Sequence, residues 1–151
     1  MKACMRALVG LLALALIAGT VCGQFAKPDE AVSYRKAVMR IIGAHFGRIG
    51  AVVKGQTDFD AEAVAHDAGI VATMSTLPWD ACLVAGSFDG ETTLKSMVLD
   101  EKDNFMKGAG AFTQESLKLG ESAKTGDLNT VKTQFGNVAK SCKGCHSRYR
   151  K

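Results

Sequence analysis

The sequence contains few residues that break helices and few that favour strands. Proline occurs twice in 151 residues, and aromatic residues make up 7% of the chain. The low proline content and the 23% of charged residues exclude the composition of a disordered chain. After residue 24 almost no segment alternates between apolar and polar residues, whereas apolar residues recur at helical spacing. A chain of this length is enough for one domain and short for two.

Charge of one sign is also not in large excess. The chain has 19 Lys and Arg against 15 Asp and Glu, a formal net charge of +4, and the two signs are interleaved. The composition therefore gives no indication of a nucleic-acid partner. The five cysteines are an odd number, so complete disulfide pairing would leave one over and another role is needed for them.

The first 23 residues have the pattern of a secretory signal peptide. Lys2 and Arg6 precede an uncharged run of leucine and alanine, and small residues follow as far as Gly23. The apolar run is shorter than the roughly 20 residues of a bilayer-spanning helix. The alternative is a lipoprotein signal with an acylated Cys22, but the residues before it fit that pattern poorly. We therefore predict cleavage after Gly23, export to the periplasm and no membrane insertion.

The remaining domain, residues 24–151, is predicted to be an all-α, antiparallel four-helix bundle, because four segments show the helical period. Helices of about 20 residues would each be about 30 Å long. The predicted limits are a start at Pro28 for the first helix, Asp60 as N-cap and a stop before Pro78 for the second, about Asp100 to Lys124 for the third, and a start after Asp127 for the fourth. The predicted apolar side of the first helix comprises Val32, Val38, Ile41, Ile42, His45, Phe46 and Ile49.

The fourth helix has the most regular pattern. Its apolar residues alternate between spacings of three and four, which is the seam of a packed helix. The two cysteines in this seam are therefore predicted to point into the bundle. The seam consists of Leu128, Val131, Phe135, Val138, Cys142, Cys145 and Tyr149.

The chemistry of the chain is indicated by Cys142-Lys143-Gly144-Cys145-His146. Two thiols three residues apart on a helix point the same way, and each can form a thioether with one vinyl group of a haem. His146 is one turn beyond Cys142, so its imidazole can be an axial ligand of the same iron. We therefore predict one covalently attached haem c per chain and a haem protein that is not an enzyme.

The motif has two other interpretations. A thiol–disulfide oxidoreductase would use Cys142 and Cys145 as a redox pair, but its usual strand-to-helix setting is missing here. A structural zinc site usually needs four ligands from two such pairs, and the sequence has one pair. Both are therefore less favoured than covalent haem.

The motif follows three helices instead of preceding them, and in this the chain resembles the class II cytochromes c, in particular the cytochrome c′ family. The resemblance covers most of residues 24–151, and only the haem motif is specific by itself. The segments that carry it are residues 24–28, 34–35, 44–48, 52–55, 77–79 and 142–150.

The resemblance implies that Met39 lies over the iron as a bulky side chain that does not bind it. The iron would then be five-coordinate and high-spin, and it would bind NO and CO. The alternative is a low-spin electron carrier with Met39 as the sixth ligand; His45 is a minor candidate for that position.

The resemblance also implies further contacts and partners. Arg35 is expected to pair with a haem propionate, with Lys36 beside it, and Trp79 is expected at the haem edge. Arg150 is expected in the pocket on the His146 side of the haem. A homodimer through the first helix and its neighbour is implied, together with a redox partner of unknown kind. Cys82 is expected to be a free, buried thiol.

Overall fold

The structure, a computed structural model, describes residues 25–151. The predicted signal peptide and its cleavage site lie outside these residues. Two single turns, Asp80–Cys82 and Met97–Asp100, lie between the second and third of four long helices. The predicted all-α four-helix bundle is confirmed. The long helices are α1 (Pro28–Val53), α2 (Ala61–Met74), α3 (Lys102–Lys124) and α4 (Leu128–Tyr149).

The helices begin where the sequence indicates. Pro28 is the first residue of α1, where its missing N–H costs nothing. The Asp60 carboxylate caps α2 by accepting bonds from the backbone N–H groups of Glu62 and Ala63, at 2.9 and 3.1 Å. Asp127 caps α4 in the same way. Unpaired N–H groups in the first turns are thereby satisfied by side chains from outside the helix.

One hydrophobic core lies between the four long helices, and α1 packs on α2, α2 on α3, and α3 on α4. The predicted inward face of α1 is wrong at Ile41, whose side chain is 39% exposed. The helical period places it between the core side and the solvent side. None of the helices within residues 25–151 is both long and apolar enough to span a membrane. The fully buried part of this core includes Ile49, Val71, Leu119, Val131 and Val138.

The segment between α2 and α3, residues 75–101, is here called the connecting segment, and it reaches the end of α4. The backbone N–H of Lys95 donates to Tyr149 O at 2.9 Å, and that of Lys151 donates to Thr93 O at 2.8 Å. The last carbonyl groups of a helix have no partner within the helix. The connecting segment therefore supplies one and holds the end of α4 in place.

Candidate haem site

A cavity of about 850 Å³ lies between α1, the connecting segment, α3 and α4. This volume is in the upper part of the range for small-molecule pockets. The apolar part of its wall includes Ile42, Phe46, Leu94, Phe105 and Phe112. Every site residue predicted from the sequence lines this same cavity: Arg35, Lys36, Met39, Trp79, Cys142, Cys145, His146 and Arg150.

Cys142 and Cys145 line the cavity as half-buried free thiols. Burial raises the pKa of Cys142, and the neighbouring Cys145 raises it further. Burial likewise raises the pKa of Cys145. Both side chains are therefore neutral thiols at neutral pH. They lie on one face of α4, as two groups that react with the same flat molecule must.

His146 lies in the last turn of α4 at the edge of the cavity, where its side chain is exposed. Partial desolvation, and secondarily the positive charge of Arg150, lower the pKa of His146. The imidazole is therefore neutral at neutral pH and has a lone pair available for a metal ion. Within residues 25–151 no group of three or more His, Cys, Asp or Glu residues is arranged to hold a metal ion. That disfavours the zinc interpretation of the motif.

Arg35 is buried, with 4% of its surface exposed. Its Nη1 donates to Ala81 O at 2.9 Å and to Ser87 Oγ at 2.7 Å. Its Nη2 donates to Ser87 O and, at 2.9 Å, to Thr92 Oγ1. These acceptors, all in the connecting segment, are uncharged, and burial lowers the pKa of Arg35.

The guanidinium of Arg35 is a test of whether a haem fits the cavity. No carboxylate of the described residues forms an ion pair with it. A buried charge is unfavourable without a counter-charge. A haem carries two propionates, and its otherwise apolar ring suits the apolar wall. The uncompensated charge of Arg35 and the apolar wall therefore both fit a haem.

The other predicted contacts are arranged around the rim and wall of the cavity. Lys36 Nζ donates to Glu91 O at 3.2 Å. The Trp79 indole donates to Ser75 O at 2.7 Å, and its ring meets that of Phe105 edge-on, with 5.9 Å between centroids. Trp79 is thus both a core residue and part of the cavity wall.

Met39 and His45, which lie on the same helix, are separated by the fold. Met39 lines the cavity and packs against the core. His45 does not line the cavity, because its Nδ1 lies 2.8 Å from Asp67 Oδ1 on α2. Arg48 donates to the same carboxylate at 2.8 Å from Nε. The structure therefore removes His45 from the candidate iron ligands.

Some wall residues were not predicted. The strip from Glu91 to Leu94 belongs to an irregular segment that shows no period, so no sequence pattern indicates it. Arg40 was missed although it lies one turn after Lys36, so helical spacing could have found it. Lys143 lies inside the haem motif, but the motif itself assigns it no role.

Comparison with known proteins identifies the family. A family model described as Cytochrome C' matches residues 30–150. The cytochrome c′ of Alcaligenes xylosoxydans xylosoxydans is 38% identical over 128 residues, 85% of this chain and 98% of the relative. That of Rubrivivax gelatinosus is 34% identical over 127 residues, 84% of this chain and 98% of the relative.

Solved structures agree with this. The cytochrome c prime from Shewanella frigidimarina superposes with a TM-score of 0.81 at 37% identity, covering 84% of this chain and 98% of that one. The cytochrome c′ structure from Rubrivivax gelatinosus gives 0.79 at 35% identity, covering 85% and 100%. The chain therefore belongs to the cytochrome c′ family of non-enzymatic haem proteins, which carry one covalent haem c per chain.

Proposed function

We propose that this chain is a periplasmic haem protein whose five-coordinate, high-spin iron binds NO, and also CO. Cys142 and Cys145 would hold the haem by thioether bonds, His146 would be the one axial ligand from the protein, and Arg35 would pair with a propionate. The haem supplies an iron atom that can bind a diatomic molecule. The chain supplies the pocket, and its α1 wall decides whether the second axial position is free.

The observation that carries the proposal is the composition of this α1 wall. Besides three basic residues it presents Met39, Ile42, Gly43 and Phe46 toward the cavity, and no imidazole. The Met39 side chain packs against the hydrophobic core. A side chain held in that cluster can block the space above an iron without binding it.

The same wall favours NO over O₂. Bound O₂ gains from a hydrogen-bond donor close to it, and the apolar side chains beside Met39 on this wall, Ile42 and Phe46, have none. NO binds ferrous haem without such a donor. Two solved structures are described as NO complexes of variants of the Alcaligenes xylosoxidans cytochrome c prime, one of them ferrous. These relatives, 37% and 36% identical to this chain, support NO as the ligand.

A second candidate function is electron transfer by a low-spin haem with Met39 as the sixth ligand. The observation that favours it is the presence of this thioether in the cavity wall. Optical spectra of the ferrous holoprotein, before and after CO or NO, distinguish the two. We expect a broad high-spin spectrum that shifts with either gas. Sharp low-spin bands indifferent to CO would overturn the proposal.

Two substitutions make the test specific to this residue. Met39→Leu keeps the bulk without the sulfur, and Met39→Ala removes both. If Met39 is only a steric block, the spin state is the same in all three proteins, and CO binds faster to Met39→Ala. If Met39 is a ligand, both variants change from low to high spin.

The covalent attachment can be tested separately. Intact mass of the holoprotein should show one haem per chain, and the pyridine haemochrome spectrum should show two thioether bonds. Cys142→Ala and Cys145→Ala should each leave one thioether, which shifts the haemochrome band. A haemochrome unchanged by either substitution would refute the assignment.

Members of this family are typically periplasmic. Export of this chain is proposed on its N-terminal pattern, and N-terminal sequencing of the purified protein should begin at Gln24.

A homodimer through α1 is supported by the exposed Ile41 between the exposed small residues Ala37 and Ala44. Light scattering should give twice the chain mass, and Ile41→Glu should give a monomer with an unchanged haem spectrum.

A further inference from the structure

Positive side chains surround the cavity far more densely than the net charge suggests. Among residues 25–151, five basic residues line it, against the single acid Glu91. A haem in the cavity would add two propionates, one of which Arg35 can neutralise. The four remaining basic residues, here called the basic rim, are Lys36, Arg40, Lys143 and Arg150.

The basic rim is accessible from solvent. All four side chains are exposed, and the side chain of Lys36 is 47% exposed. Lys36 lies 3.8 Å from the Glu91 carboxylate, a weak surface pair. Arg40 on α1 and Lys143 on α4 form no ion pair with any residue that the structure describes. The rim therefore has charge that neither the protein nor two propionates fully neutralise.

Glu91 is the only acid among the described residues that line the cavity. Asp58 and Asp60, in the connection between α1 and α2, and Glu62, in the first turn of α2, are exposed and do not line it. The near balance of total charge thus hides an uneven distribution. Such a distribution orients a charged partner during its approach, even when the net charge is small.

We propose that the basic rim is the docking surface for an acidic electron-transfer protein that reduces the haem. The chemistry is one electron: the partner is oxidised by one electron and the ferric haem is reduced by one, with no bond formed or broken. The rim is built from two helices and surrounds the opening, so carboxylates around the edge of a partner's own cofactor would match it. This inference rests on the proposed placement of the haem in the cavity.

The sign of the local field can be measured with two small oxidants of opposite charge. Ferrous holoprotein would be mixed with ferricyanide, a trianion, or with tris(phenanthroline)cobalt(III), a trication, at increasing salt. Screening by salt lowers the rate of reaction between oppositely charged molecules and raises the rate between molecules of like charge. We expect the ferricyanide rate to fall about tenfold between low and physiological ionic strength, and the cobalt rate to rise. No salt dependence, or the opposite signs, would overturn the proposal.

A matched pair of double variants locates the field. Arg40→Gln with Lys143→Gln removes two rim charges that the haem site does not need. Lys54→Gln with Lys132→Gln removes one exposed charge directly after α1 and one on α4, both outside the cavity. We expect the first variant to lose most of the salt dependence and the second to keep it. An equal loss in both would mean that total charge, not the rim, governs the rate.

The protein partner is tested with the hydroquinone form of an acidic flavodoxin as the probe. Reduction of the ferric holoprotein should saturate with flavodoxin concentration, and the half-saturation concentration should rise with salt. The rim variant should raise it by about tenfold relative to the control variant. A rate that never saturates, or a rim variant equal to its control, would overturn the docking site. If the haem placement itself is wrong, the result differs: the intact mass of the purified protein would show no haem attached at Cys142 and Cys145.

Discussion

Replacing Arg35 by Met removes the side chain that joins α1 to the connecting segment. The buried carbonyl groups of Ala81 and Ser87 would each lose their guanidinium donor. The Ser87 hydroxyl also donates to Val84 O at 2.7 Å, so it keeps one partner. Met has a similar reach along the apolar wall but no donor.

The size of the stability loss expected for Arg35→Met follows from these contacts. Each buried acceptor left without a donor costs about 1–3 kcal/mol. Two such carbonyls cost about 2–6 kcal/mol, and the relief of no longer burying a charge lowers the expected loss in the free energy of unfolding to about 1–5 kcal/mol. Arg40→Met on the same helix is the control, because Arg40 is exposed and donates no hydrogen bond among the described residues. It should change stability by less than about 0.5 kcal/mol.

Urea unfolding of the ferric holoprotein, followed by circular dichroism, measures both values. The midpoint should fall for Arg35→Met with little change in slope. Ser87→Ala removes one acceptor and should cost about 1 kcal/mol in the native chain, but much less in the Arg35→Met background. A loss below about 1 kcal/mol for Arg35→Met, or full additivity with Ser87→Ala, would refute this account of the connecting segment.

Three further predictions concern Asp67, Cys82 and Ser116. Burial alone would raise the pKa of Asp67, but hydrogen bonds from Arg48 and His45 outweigh it and lower that pKa. The ionised Asp67 carboxylate therefore stabilises the fold at pH values above the pKa of this group in the unfolded chain, and the stabilisation is lost as the pH falls through its lower pKa in the folded protein. Asp67→Asn should cost about 1–3 kcal/mol of folding stability at pH 7, and the stability of this variant should depend less on pH below about pH 4. Burial raises the pKa of Cys82 to about 12, so iodoacetamide at pH 8 should label this thiol only in unfolded holoprotein. The buried Ser116 hydroxyl has no hydrogen-bond partner within the described part of the chain, so Ser116→Ala should leave the thermal midpoint unchanged or raise it. A clear fall in the midpoint would show that the hydroxyl is bonded.

The sequence was most informative where a residue has a strong local preference. Asp60 and Asp127 act as N-caps, and the seam of α4 lies inward, because caps and helical period depend on neighbours a few residues away. The haem motif was equally clear, and membership of a haem protein family confirms the predicted covalent haem over the thiol-redox alternative. These features needed no knowledge of tertiary contacts.

The rest depends on contacts between distant parts of the chain. The bonds of Arg35 to Ser87 and Thr92 join residues more than 50 positions apart, and nothing local to either end indicates them. The exposure of Ile41 was missed because a helical pattern shows which residues share a side, but not how wide the buried strip is.

The connecting segment is held from both sides of the cavity, by Arg35 from α1 and by the backbone at Tyr149 from α4. The two helices contact each other less than the neighbouring helix pairs do. The separation of these two walls is therefore set largely by a stretch of irregular backbone. Irregular surface segments usually exchange their amide hydrogens quickly, but this one should open only when a wall of the cavity opens with it. The width of the cavity between α1 and α4 then depends on the connecting segment, although this segment supplies no side chain that binds the iron.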